Sequence, residues 1–163
     1  MMDIGPLINW MKQSAVHDFV TQNTWVWPTL ETFHFLGLCL LLGSLILVDL
    51  RVLGFNKKAP LKEIHAFVPL TITGFSINAL TGLLFLFGDP ERYFPNIAFQ
   101  FKMLLVFLAG LNVLYFEMKV HPQIKEHGDQ AKLGIDAKIV AGASLVFWIL
   151  VIILGRMIPY LEA

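Results

Sequence analysis

The chain has 163 residues, of which 56% are hydrophobic and 15% charged, with a mean hydropathy of +0.68. That balance lies far from soluble domains and excludes a water-soluble fold, and the length leaves room for one membrane domain only. Twelve basic and twelve acidic residues cancel to a net charge of +0, so there is no basic surface for nucleic acid and no polybasic tail for anionic lipid.

Residues 1–24 contain no continuous apolar run and no basic start followed by a small-residue cleavage pattern, so no signal peptide is expected. Ile4, Leu7, Ile8, Met11, Ala15 and Phe19 recur at helical spacing, with Lys12, Gln13, Asp18 and Gln22 off that face. The pattern predicts one amphipathic helix lying in the membrane interface. Trp10, Trp25 and Trp27 supply rings of the kind that collect at headgroup depth, and Pro28 sets the turn into the first span.

From Phe33 to Val48 no side chain carries a fixed charge, and the flanks extend the run enough to cross a hydrocarbon core about 30 Å thick at about 1.5 Å per residue. Asp49 and Arg51 follow, close enough along one helix end to partner each other in the interface. The spans are expected at about 30–52, 63–87, 98–118 and 138–160, making residues 25–163 one transmembrane domain. Pro69 falls inside the second span, Gly88, Asp89 and Pro90 end it, and Pro122 with EHGDQAK forms the longest polar loop. The fold class is therefore an all-α integral membrane protein, a four-transmembrane-helix bundle with an N-terminal amphipathic interfacial helix. The single cysteine, Cys39, cannot form an internal disulfide and is expected to be a small buried hydrophobe.

Four basic residues fall on the side of the termini and eight on the other. The positive-inside rule then places both termini outside the cytoplasm. Small and polar residues share stripes: His34, Gly37, Leu41, Ser44 and Val48 in the first span; Thr71, Gly74, Asn78 and Gly82 in the second; Lys102, Ala109, Asn112 and Phe116 in the third. Such stripes are the facing surfaces of membrane helices, with Ser44, Thr73, Asn112 and Ser144 expected to bond between helices at about 0.6 kcal/mol each. A proton-coupled pathway would need an intramembrane carboxylate, and none is expected.

At the non-cytoplasmic end His34, Lys102 and Arg156 approach one depth, an arrangement suited to haem propionates, a quinone carbonyl or a lipid phosphate. The alternative is that Lys102 and Arg156 snorkel to the headgroups while His34 bonds a neighbouring helix. A b-type haem between two histidines is not available to His34, because His65 and His121 lie at the cytoplasmic edge. Met103 or Met157, or Lys102 if its amine were neutral, could supply the second ligand, and His65, Glu117 and His121 could meet as an edge cluster. Metal candidates are thus His34 and, after it, His65. Covalent haem, zinc hydrolase and nucleotide motifs are absent from the sequence.

The segments HFLGLCLLLGSLILVDLRVLG at 34–54, NALTGLLFLFGDPERYFPNIAFQFKMLLVFLAGLN at 78–112 and SLVFWILVIILGRMIPY at 144–160 resemble an uncharacterised family of small bacterial four-helix inner-membrane proteins. That family is distantly similar to the membrane domains of copper-resistance protein D and of cytochrome b561. The resemblance implies a bundle in the bacterial inner membrane and leaves the reaction open. Relatives often have a histidine where this chain has Glu117, and the paired histidines of the b561 type are not reproduced. The expected function is a non-enzymatic membrane subunit acting in the lipid bilayer through membrane protein partners or a homo-oligomer. The alternatives are electron transfer with a b-type haem or quinone near His34, Lys102 and Arg156, and copper handling.

Overall fold

A computed structural model describes residues 4–55, 67–127 and 133–161. Among them the chain is helical throughout: α1 (Gly5–Lys12), α2 (Ala15–Gln22), α3 (Val26–Val52), α4 (Val68–Gly88), α5 (Pro90–Tyr93), α6 (Ile97–Tyr115), α7 (His121–His127) and α8 (Ile135–Met157). A π-helical turn, Phe116–Val120, joins α6 to α7, and a 3₁₀ turn, Ile158–Tyr160, closes α8. Four helical stretches are long and apolar enough to span a membrane: Val26–Val52, Val68–Gly88, Ile97–Glu126 and Ile135–Tyr160. Pro69 lies in the first turn of α4, where a missing N–H costs nothing, so the second span is not kinked there. The third span runs past the expected end at 118, because the π turn continues the helix instead of breaking it. Residues 63–66 of the expected second span, His65 among them, lie outside the described residues.

The N-terminal segment is two helices and not one. The Ser14 hydroxyl accepts from the His17 N–H at 3.2 Å and donates to the Met11 carbonyl at 2.6 Å, which caps α2 and ends the pattern that the apolar spacing alone would continue. The two helices pack against the bundle: Val20 joins Val26 and Leu30 in a buried cluster with Trp27, Leu84 and Phe85. His17 Nδ1 meets the Phe87 carbonyl at 2.8 Å, and Lys12 pairs with Glu91 at 2.8 Å. Trp10, Phe19 and Trp25 remain exposed, as side chains at headgroup depth should.

The four spans stand in the order α4, α3, α8, α6. Helices α3 and α4 pack closely, α6 and α8 likewise, and α3 against α8 joins the pairs, whereas packing between α4 and α6 is at most marginal. Accordingly α3 and α8 bury the larger share of their surface, and α4 and α6 are mostly open. Leu41, Ala109, Trp148 and Val151 form the central core, and Val48, Val52, Val120, Ile124, Ala137 and Ala141 form a second core at the end away from the termini. At that end α3 stops in a Schellman turn. Gly54 adopts φ +97°, Phe55 N–H reaches the Leu50 carbonyl at 2.9 Å and Gly54 N–H the Arg51 carbonyl at 3.1 Å, so the last carbonyls are satisfied where the membrane ends. At the other end buried Asn96 caps α6 through the Ala98 and Phe99 N–H groups, and its amide donates to the Ile158 and Leu161 carbonyls, tying α6 to the end of α8.

Candidate functional site

The face His34, Gly37, Leu41, Ser44 and Val48 is the face that α3 turns inward, as its spacing predicts. Glycines make the approach to α4 close. A Cβ on Gly74 would stand 2.5 Å from the Leu41 nitrogen and 2.7 Å from the Gly37 oxygen, and one on Gly37 would meet the Asn78 amide at 2.5 Å. The stripe on α4 turns with Thr81 and not Gly82, which has open space around it. On either side of the glycine contact a polar pair links the helices: Ser44 Oγ to Thr71 Oγ1 at 2.7 Å, and His34 Nδ1 to Thr81 Oγ1 at 2.7 Å. Thr73 points outward and bonds its own Pro69 carbonyl, so the partner of Ser44 is Thr71. On the other pair of helices Asn112 donates to the Val140 carbonyl at 3.0 Å.

The Thr81 hydroxyl also donates to the Ile77 carbonyl at 2.7 Å. Having one hydrogen, it accepts from His34, so His34 carries a proton on Nδ1, and the neutral ring presents Nε2 as an acceptor. The imidazole edge rests on Phe85 with ring centroids 5.6 Å apart, and Phe85 packs in turn on Trp27 at 5.1 Å. Lys102 comes from α6. Its chain crosses α8 where Gly155 has no side chain, with Nζ 3.5 Å from the place a Cβ would occupy. The ammonium is within electrostatic reach of the His34 ring. Among the described residues no carboxylate pairs with it.

Of the sequence-derived candidates, the fold therefore places Lys102 within electrostatic reach of His34. Arg156 is exposed and turns to Tyr160, with the guanidinium 5.7 Å from the ring centroid and Nη2 3.4 Å from the hydroxyl. Met103 and Met157 are 48% and 37% exposed, on outward faces of α6 and α8, so neither stands opposite His34. Of the candidates for a second axial ligand beside His34, Met103 and Met157 thus lie on outward faces, and the Lys102 amine is the one within electrostatic reach. At the far end Glu117 and His121 meet at 2.5 Å across the π turn. Among the described residues no three His, Cys, Asp or Glu side chains gather as a metal site. Cys39 is exposed on the outer face of α3, not buried, because its position falls off the inward stripe.

One group escaped the sequence analysis. Asp49 does not face water beside Arg51; it is 3% exposed, and the Ser144 hydroxyl of α8 addresses its carboxyl group. The bundle thus does contain a buried carboxyl group in a spanning helix. The signal was its register: Asp49 follows Val48 on the inward stripe, whereas Leu50 and Arg51 turn away. No family model matches the chain, and no curated protein or solved structure matches it either.

Proposed function

We propose that this chain is a multi-pass membrane subunit that works through partner membrane proteins, or through further copies of itself, in the bacterial inner membrane with both termini outside the cytoplasm. The open row of spans carries the proposal. Helices α4 and α6 stand at its two edges with most of their surface uncovered, while three polar contacts join neighbouring spans: His34–Thr81, Ser44–Thr71 and Asn112–Val140. That is the layout of packing and assembly, not of a reaction centre. The family resemblance and the basic-residue bias support the membrane and its orientation. Mass measurement after extraction from native membranes in a mild detergent tests it: complexes heavier than the 18.4 kDa chain are expected, and a homogeneous monomer would refute it. Reporter fusions at both termini should read non-cytoplasmic.

The His34–Lys102 pair favours a second activity for the same subunit, holding an amphiphilic ligand with an oxygen-bearing head, a quinone or a lipid headgroup. Among the described residues Lys102 offers an N–H donor without a protein acceptor, a neutral His34 offers Nε2 as an acceptor, and Phe85, backed by Trp27, walls the imidazole. Solvent extracts of purified protein, analysed by mass spectrometry, should contain one such molecule that His34→Ala and Lys102→Met both lose. An extract unchanged in both variants would remove this activity. Oxidised and dithionite-reduced absorption spectra of the same preparation check for haem, whose Soret and α bands would contradict the ligand class proposed here.

A further inference from the structure

We infer that Asp49 and Ser144 form a proton-binding site inside the bundle, with Asp49 Oδ2 as the atom that takes and releases the proton. Asp49 is 3% exposed and Ser144 4% exposed, the first on α3 and the second on α8, the two helices that occupy the middle of the row. The Ser144 hydroxyl addresses the carboxyl group, yet Oδ2 is fully buried and meets no hydrogen-bond donor among the described residues. The buried cluster at that end of the bundle, with Val48 and Val52 of α3 and Ala137 and Ala141 of α8, is apolar and has no side-chain donor to give. A buried carboxyl oxygen without a donor is costly and rare, and in a spanning helix such a group marks a function more often than a packing contact.

The chemistry of the surroundings selects the occupant. A sodium or calcium ion needs about six oxygen ligands, and the site offers one carboxyl group and one hydroxyl, since the backbone carbonyls around it are engaged in the α-helices. A proton needs one oxygen. Among the described residues, charged groups on the neighbouring elements do not satisfy Oδ2. Arg51 of α3 is half-buried and has an interaction of its own, Glu117 and His121 of the π turn and α7 are paired together, and Lys119, Asp136 and Lys138 are exposed. Thr71 of α4 and Asn112 of α6 are spent on Ser44 and on the Val140 carbonyl, and Tyr115, the last residue of α6, is exposed. Access is short: Asp49 is three residues from the end of α3, about 4.5 Å of helix rise from the Schellman turn. Protons would exchange with the aqueous face at the end away from the termini, the face the sequence assigns to the cytoplasm.

The test is a pH-difference infrared spectrum of the full chain in lipid nanodiscs, with Asp49→Asn and Ser144→Ala beside it. A protonated-carboxyl C=O band that shifts in D₂O is expected in the parent protein, lost in Asp49→Asn and displaced in Ser144→Ala, where the hydroxyl no longer addresses the group. Identical spectra for the parent and Asp49→Asn in the carboxyl region would overturn the proposal. If Asp49→Asn does not fold, as judged by its helical circular dichroism, the Ser144→Ala band decides: an undisplaced band overturns the site as drawn. A band that answers to sodium at constant pH, and not to pH, would assign the site to a metal cation and overturn the proton.

Discussion

The contact between Gly37 and Gly74 sets the geometry of everything on the α3–α4 side, and a single methyl group tests it. In Gly74→Ala the new Cβ would stand 2.5 Å from the Leu41 nitrogen, 2.7 Å from the Gly37 oxygen and 3.0 Å from the Leu41 Cα, whereas ordinary contact begins near 3.4 Å. All three neighbours are backbone atoms, so no side chain can swing aside, and the helices must part by about 1 Å, a distance at which packing contacts of this kind are already largely lost. That separation stretches the Ser44–Thr71 and His34–Thr81 pairs, each 2.7 Å long and each worth about 0.6 kcal/mol in a membrane helix pair. With about 1–3 kcal/mol for overpacking, the loss is about 2–4 kcal/mol, and the better helix propensity of alanine returns at most about 1. The control is Gly43→Ala, on the outer side of α3, where an added Cβ meets nothing within 4 Å. Unfolding in mixed micelles, followed by circular dichroism against the detergent fraction, should show Gly74→Ala destabilised by about 1–3 kcal/mol and Gly43→Ala unchanged or slightly stabilised. Equal midpoints for the two variants would refute the close approach and, with it, the placement of His34 against Thr81.

Thr81→Val removes the acceptor that fixes the His34 tautomer; nitrogen NMR of the labelled imidazole should pass from a single Nδ1–H form to a mixture, at a stability cost of about 0.6 kcal/mol. Asn96→Ala deletes the α6 cap and both bonds to the end of α8, so it should cost about 2 kcal/mol, read in the same micelle titration, with fraying of residues 158–161 in hydrogen exchange. Ser14→Ala should cost about 1 kcal/mol and raise amide exchange across Ala15–Gln22 while the spans keep their protection; unchanged exchange there would mean that Ser14 does not divide α1 from α2.

The sequence by itself determined the solvent and the number of spans, because a hydrocarbon core accepts only long runs whose backbone bonds are closed within the helix, and such runs are visible without knowing what they touch. It also determined the inward stripe of α3, since Gly37, Leu41, Ser44 and Val48 share one side of any helix they form. Periodicity could not reveal the break at Ser14, which depends on a hydroxyl satisfying two backbone groups, nor the extension through the π turn. Partner choice was likewise out of reach. His34, Lys102 and Arg156 have the same standing as sequence positions, and only the packing of α6 over Gly155 turned Lys102 toward His34 while Arg156 swung out to Tyr160. Asp49 shows the limit most clearly. Its charge argues for the water at the end of α3, and only the arrival of α8 with Ser144 draws it into the bundle, because which flank of a helix end is covered is decided by the neighbour that covers it.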